Sequence, residues 1–196
     1  SGVLVTRSAS QTYDSEGHVL TTKDALGHIT YNDYDKRGNL IRTYSTVTSE
    51  GVSTTIGVLY AYDRANRLTK EVSAKNYVSG SDIDTLNRTE YVYDKEDNLL
   101  QTKSIYKKPG ATAFSTVVTK ESTYDGNGNV LTEKDAMGVQ NGYATVYTYN
   151  LNNQLLTALK PADADRGRTF SQKLVYDGLG RVISEIDGRG VIRKTY

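Results

Sequence analysis

The side chains best equipped for chemistry are two histidines, each four residues after an aspartate: His18 after Asp14 and His28 after Asp24. An imidazole beside a carboxylate acts as a general base once a serine nucleophile completes the set. The chain has no Cys, which removes thiolate nucleophiles, thiolate metal sites and a disulfide framework. Its many aspartates could supply the paired carboxylates of glycoside hydrolysis. The run Asp125-Gly-Asn127-Gly-Asn129 copies the opening of a calcium loop, but its sixth position is Val130 instead of Gly and its twelfth is Ala136 instead of Glu. Asp163-Ala-Asp165-Arg-Gly167 is a weaker version of the same idea, and Asn87-Arg88-Thr89 fits a glycosylation acceptor.

What these residues do depends on the elements that position them, and those elements repeat. Tyr followed by Asp or Asn recurs at Tyr13-Asp14, Tyr34-Asp35, Tyr62-Asp63, Tyr93-Asp94, Tyr124-Asp125, Tyr149-Asn150 and Tyr176-Asp177, at spacings of 21, 28, 31, 31, 25 and 27 residues. Four positions after each Tyr stands Gly17, Gly38, Asn66, Asp97, Gly128, Asn153 or Gly180. Six positions after it stands Val19, Leu40, Leu68, Leu99, Val130, Leu155 or Val182.

Asp-x-x-Gly is the grammar of a tight reversal. The Asp carboxylate accepts the backbone N–H two residues on in a type I turn. The Gly then takes positive φ and forms the bulge of a three-residue hairpin loop. The three replacements, Asn66, Asp97 and Asn153, are the residue types that best tolerate the left-handed region. This geometry places each Tyr opposite the aliphatic residue six positions later, a pairing worth about 0.2–1 kcal/mol over Ala–Ala. Tyr60, Tyr91 and Tyr147 add a second ring two residues earlier on the same face.

Three copies carry a second turn eleven residues after the Tyr: Asp24-Ala-Leu-Gly27, Asp135-Ala-Met-Gly138 and Asp187-Gly-Arg-Gly190. The others replace it with longer links holding Thr48-Ser-Glu-Gly51, Ser79-Gly80-Ser81, Pro109-Gly110 or Pro161. Length variation therefore falls on the link side, while the Tyr-Asp side is constant. The residue seven after each Tyr is also apolar, as in Leu20, Ile41, Leu100, Leu131, Leu156 and Ile183, with Thr69 the exception. Both faces near the first turn thus carry apolar side chains, as in a sheet covered on both sides or curled round its own interior. No segment shows a sustained helical stripe. Ser81–Leu86 is expected to make a single helical turn.

Composition agrees. The apolar share is 37% of 196 residues, under the usual ~45–50%, and 16 Tyr stand against 2 Phe and no Trp. A thick core is not expected. The 24 basic and 23 acidic residues give a net charge of +1, which argues against a binder of nucleic-acid backbones. No apolar run approaches the ~18 residues of a membrane span, and Val3-Leu4-Val5 is too short for the core of a signal peptide.

The pattern Tyr-x-Tyr-Asp-x-x-Gly-Asn/Arg-Leu-Leu resembles the RHS (rearrangement hotspot) or YD-repeat family. The copies that carry the resemblance are Tyr34-Asp-Lys-Arg-Gly-Asn-Leu-Ile41, Tyr124-Asp-Gly-Asn-Gly-Asn-Val-Leu131 and Tyr176-Asp-Gly-Leu-Gly-Arg-Val-Ile183, with Asp24-Ala-Leu-Gly-His-Ile-Thr30 as the second half. Proteins similar to this include bacterial polymorphic toxins, the B and C components of Tc toxin complexes, wall-associated proteins and animal teneurins. The resemblance implies a β-sheet strip that spirals into a hollow shell, which in bacterial members encloses a C-terminal toxin domain. Seven repeats, or about fourteen strands, would make only part of such a wall. Lys194-Thr195-Tyr196 resembles the start of an eighth copy. The Asp-Pro motif that marks the self-cleaving region of bacterial members is absent, since Pro109 and Pro161 each follow Lys.

The expected fold is all-β: one antiparallel β-hairpin repeat array over residues 1–196, with repeats starting near 13, 34, 62, 93, 124, 149 and 176. Every recurring Asp has a turn to build, and other copies put Asn, Arg or Gln where His18 stands. No catalytic residue, metal ligand or cofactor is assigned. The expected role is a non-catalytic wall segment of a secreted or cell-surface bacterial protein. Its partners would be neighbouring YD repeats and an enclosed C-terminal toxin domain. The alternative is a carbohydrate-binding or adhesion module that uses the exposed Tyr rows, since rings stack on sugars. In the wall reading, the Tyr rings fill a half-wet sheet face with their hydroxyls reaching solvent.

Overall fold

The computed structural model describes residues 8–195, with the side chains of the last two left aside. Val3-Leu4-Val5 and the Tyr of Lys194-Thr195-Tyr196 lie outside the described residues. The chain is all-β. Among the described residues, fifteen strands follow one another in a single antiparallel sheet whose order is the order of the chain, one more than the fourteen expected. The strands are β1 (Ser10–Tyr13), β2 (Val19–Lys23), β3 (Ile29–Tyr34), β4 (Leu40–Ser49), β5 (Val52–Tyr62), β6 (Leu68–Val72), β7 (Arg88–Tyr93) and β8 (Leu99–Tyr106). They continue as β9 (Ser115–Tyr124), β10 (Val130–Asp135), β11 (Thr145–Tyr149), β12 (Leu155–Leu159), β13 (Gln172–Tyr176), β14 (Val182–Asp187) and β15 (Ile192–Thr195). By contact the chain divides into two units, one up to Glu90 with Ser104–Thr116, the other Tyr91–Lys103 with Val117 onward.

The first unit holds most of the buried apolar side chains. Val72, Tyr77, Leu86 and Ile105 are buried there, all on or beside the link that follows β6. That link, 73–87, contains single 3-10 turns at Ala74–Asn76 and Ile83–Thr85, the second within the segment expected to be helical. The link folds back so that Tyr77 lies over Gly57, where a Cβ would meet its ring at 3.0 Å and the Thr43 carbonyl oxygen at 2.7 Å. Arg88 secures it. Its guanidinium pairs with Glu90 at 2.7 Å, donates to the Asp84 carbonyl at 3.0 Å and lies 5.4 Å from the Phe114 ring centre. Asn87, in the glycosylation-like triplet, accepts from the Lys107 N–H at 2.8 Å. The β4–β5 pair turns through Glu50 and Gly51, both at positive φ (50° and 80°), the signature of a two-residue type I′ loop.

The second unit is thinner still, with Ala158 and Ser122 buried in it. Cross-strand pairs of Thr123 with Thr132 and Thr148 with Thr157 bond hydroxyl to hydroxyl at 2.6 Å. Two short helices interrupt the links, α1 (Ala136–Asn141) and α2 (Pro161–Ala164). In α2, Asp163 pairs with Arg168, so the second calcium-like run is a helix end tied by an ion pair.

α1 corrects one expected turn. Asp135-Ala-Met-Gly138 does not reverse the chain as a hairpin loop. Asp135 caps α1, its Oδ1 accepting the Gly138 N–H at 2.7 Å, and Gly142 closes the helix with φ 79°. Gly138 has no positive φ. A Cβ there would meet the Tyr143 carbonyl oxygen at 2.5 Å, so close approach is what requires glycine.

Candidate functional site

The recurrent feature is the Tyr-Asp turn, and its geometry repeats at near-constant distances. In the first copy the Asp14 N–H donates to the His18 carbonyl at 3.0 Å and the Gly17 N–H to the Asp14 carbonyl at 3.3 Å. The Asp14 carboxylate accepts the N–H groups of Glu16 and His18, each at 2.9 Å, through one oxygen. Its other oxygen meets His18 Nδ1 at 2.8 Å. Asp35, Asp63, Asp94, Asp125 and Asp177 take the same partners two and four residues on, at 2.8–3.0 Å. Their second oxygens accept from Asn39, Arg67, Asn98, Asn129 and Arg181. Asn150 does the work of Asp in the sixth copy, its Oδ1 accepting at 3.0 Å from Asn152 and Gln154.

The residue four after each Tyr sits where a bulge demands positive φ: Gly17 90°, Gly38 80°, Asn66 61°, Asp97 68°, Gly128 82°, Asn153 61° and Gly180 79°. Cross-strand partners are Tyr13 with Val19, Tyr34 with Leu40, Tyr62 with Leu68, Tyr124 with Val130, Tyr149 with Leu155 and Tyr176 with Val182, each at a register shift. Tyr93, in the fourth copy, closes β7 directly before Asp94.

Asp14, Asp35, Asp63, Asp125 and Asp177 are held below their ordinary pKa by these bonds. For Asp14, Asp35 and Asp125 the side chain four residues on is the main cause; for Asp63 and Asp177 it is the backbone N–H of that residue. Tyr62 and Tyr149 are raised by burial. This is the electrostatics of a turn that spends its charge on its own N–H groups.

The tyrosine hydroxyls depart from expectation. Those of Tyr34, Tyr124, Tyr149 and Tyr176 do not end in solvent. Tyr34 donates to the Val19 carbonyl at 3.1 Å within the first unit. Tyr124, Tyr149 and Tyr176 donate at 2.9 Å to the carbonyls of Leu99, Val130 and Leu155 within the second. Each acceptor belongs to the aliphatic residue six positions after the previous copy's tyrosine, so each of these hydroxyls ties one hairpin to the one before it. Among the described residues, the Tyr13 hydroxyl bonds Gln11 alone, at 2.7 Å, and Tyr13 is 55% exposed. Sequence spacing gives the pairing inside a hairpin but not which carbonyl lies under the next ring.

The chemistry read from the histidines is absorbed the same way. His18 bonds Asp14 and stacks on Tyr34, ring centres 4.7 Å apart. His28 bonds Asp24 at 2.8 Å, in the second turn whose Gly27 has φ 92°. Among the described residues, Asp14, Glu16 and His18 bring one donor atom each within 4.8 Å of one another. Asp14 and His18 spend theirs on each other inside the turn, and the Glu16 carboxylate lies 3.8 Å from His18 Nδ1. Asp125, first in the calcium-like run, spends both carboxylate oxygens on Asn127 and Asn129.

A strip of antiparallel hairpins joined turn to turn is the architecture of a repeat wall, and solved structures of that build exist. No protein-family model matches the chain, and no curated protein does. A crystal structure of TcdB2-TccC3 aligns over 96% of this chain at 19% identity with a TM-score of 0.61. One titled TcdB2-TccC3-TEV aligns over 91% at 16% identity with a TM-score of 0.53. The alignments cover 10% and 11% of those chains, so this chain spans about a tenth of their length. At these identities the likeness is one of fold, and that fold supports the RHS/YD-repeat resemblance read from the turns.

Proposed function

We propose that this chain is a stretch of wall in a YD-repeat shell, a structural element that encloses or scaffolds an effector domain and catalyses nothing itself. The observation that carries the reading is how the repeat's polar groups are used. Turn carboxylates hold their own loops, and tyrosine hydroxyls hold the preceding hairpin. Such a surface supports enclosure through continuity of the sheet. The fold shared with TcdB2-TccC3 structures supports a shell, and the enclosed partner would be a toxin domain in the same or a companion chain. Secretion or display on a bacterial surface follows from that role. No helix among the described residues is long and apolar enough to cross a membrane. A sugar-binding role has less to stand on, because the ladder tyrosines Tyr34, Tyr124, Tyr149 and Tyr176 direct their hydroxyls to backbone carbonyls.

The test is to express the full reading frame that contains this chain and image it by electron microscopy, with limited proteolysis in parallel. A closed shell with a protease-resistant internal segment supports the proposal. An open, fully digestible chain, or hydrolase activity that maps to these residues, overturns it.

A further inference from the structure

The turns also read one another. At His18, Asn39, Asn129 and Gln154, the side chain directly after the bulge residue does two things, and the second reaches the bulge position of the next turn. Asn39 Nδ2 has two hydrogens: it donates to Asp35 at 3.0 Å and to Asn66 Oδ1 at 3.0 Å. Asn129 Nδ2 repeats this with Asp125 and Asn153 Oδ1, both at 2.9 Å, and Asn127 donates to the same Oδ1 at 3.0 Å. Where the side chain is longer, the partner is glycine. His18 Nε2 lies 2.7 Å from the point a Cβ on Gly38 would occupy. Gln154 Nε2 donates to the Gly180 carbonyl at 2.8 Å and lies 2.8 Å from the Cβ point there. The sixth turn shows how this amide is released for the job: Asn150 donates to Gln154 Oε1 at 2.8 Å, which leaves Gln154 Nε2 for the neighbour.

We infer that this pair of positions is a matching code between consecutive hairpins, in which a short Asn calls for Asn in the next turn and a long His or Gln calls for Gly. Two of the three replacements at the bulge position are then explained twice. Asn66 and Asn153 tolerate positive φ, and they also present the acceptor that Asn39 and Asn129 need. Near-identical repeats risk pairing with the wrong neighbour during folding. A pairing of His18 with an Asn-type turn would clash, and a pairing of Asn39 with a Gly-type turn would lose its bridge, so the code favours the order found. Two consecutive pairs fall outside the code: the long Arg67 is followed by Asp97 instead of Gly, and the short Asn98 by Gly128. Asn98 is short and bonds Asp94 at 2.9 Å, and the Cβ point of Gly128 is 3.5 Å from its Oδ1, ordinary contact distance.

The experiment uses four variants of the whole chain, compared by thermal unfolding. Gly38→Asn alone is expected to lower Tm by about 4 °C or more. Adding His18→Asn rebuilds an Asn–Asn pair and is expected to recover most of that loss, although His18→Asn alone gives no gain. Gly128→Asn, placed beside the short Asn98, is expected to leave Tm unchanged or raise it. Equal losses in Gly38→Asn and Gly128→Asn, or a double variant no better than Gly38→Asn, would overturn the code. Should Gly38→Asn not fold, recovery of folded protein in the double variant reads out the same pairing, and its failure to recover would count against it.

Discussion

Asp24-Ala-Leu-Gly27 and Asp135-Ala-Met-Gly138 have nearly the same sequence and different structures. The first is a hairpin loop with Gly27 at φ 92° and Asp24 accepting from Leu26 and His28. The second opens a helix. The difference lies in length: Tyr13 to Tyr34 spans 21 residues and Tyr124 to Tyr149 spans 25, so the later copy carries 25 − 21 = 4 extra residues, about one helical turn. They wind into α1 and leave the register alone. Thr22 faces Thr30 in the first link, and Glu133, at the matching place, faces Thr145 in the second. A repeat array absorbs an insertion by replacing a loop, because slipping the strands would turn every paired side chain to the wrong face.

The two glycines give the sharpest way to break this comparison. Gly138→Asn is expected to cost about 3 kcal/mol, the upper range for forcing atoms into a packed site, because its Cβ would lie 2.5 Å from the Tyr143 carbonyl oxygen. Gly27→Asn is expected to cost about 1 kcal/mol or less, since Asn accepts the left-handed region and only Lys23 Cε lies near, at 3.9 Å. Denaturant titration of both decides it, and equal costs would mean that the two glycines serve one purpose. Asp135→Ala is expected to lose about 1 kcal/mol through the lost helix cap. Deleting residues 139–142 leaves Asp-Ala-Met-Gly-Tyr-Ala-Thr, the grammar of the first link. That variant should stay folded with its helical circular dichroism reduced, and loss of the fold would show that the helix is more than a spacer.

Acid is a gentler probe of the same turns. The folded-state pKa values of Asp14, Asp24, Asp35, Asp63, Asp125 and Asp177 lie below the ordinary 3.8. Protonation therefore favours the unfolded chain, whose carboxylates take protons first. Stability from these groups is complete above about pH 5 and falls as pH drops through the folded-state values. Tm should be flat from pH 7 to about 5 and then decline; a rise toward acid would contradict the carboxylate turns.

Much of the fold was legible because a turn is a local object. Asp63-x-x-Asn66 states its own dihedral angles, and the pairing of Tyr62 with Leu68 follows from loop length alone. What was not legible needed a neighbour. The destination of the Tyr124 hydroxyl depends on which carbonyl the preceding hairpin places beneath it, and the role of Asn66 depends on Asn39, 27 residues earlier. The links were least legible. Tyr77 and Leu86 are buried by a segment with no strong period, and α1 hides behind a turn motif that four added residues convert.

The account rests on the hairpins that Tyr34, Tyr124, Tyr149 and Tyr176 bind to the one before, and the hydroxyls test that directly. Tyr124→Phe, Tyr149→Phe and Tyr176→Phe combined remove three such bonds and nothing else from the rings. Unfolding in guanidinium should show a loss of about 3 kcal/mol, at about 1 kcal/mol per bond, while Tyr13→Phe, whose hydroxyl bonds Gln11 in its own strand, matches the parent. A triple variant as stable as the parent would contradict the account.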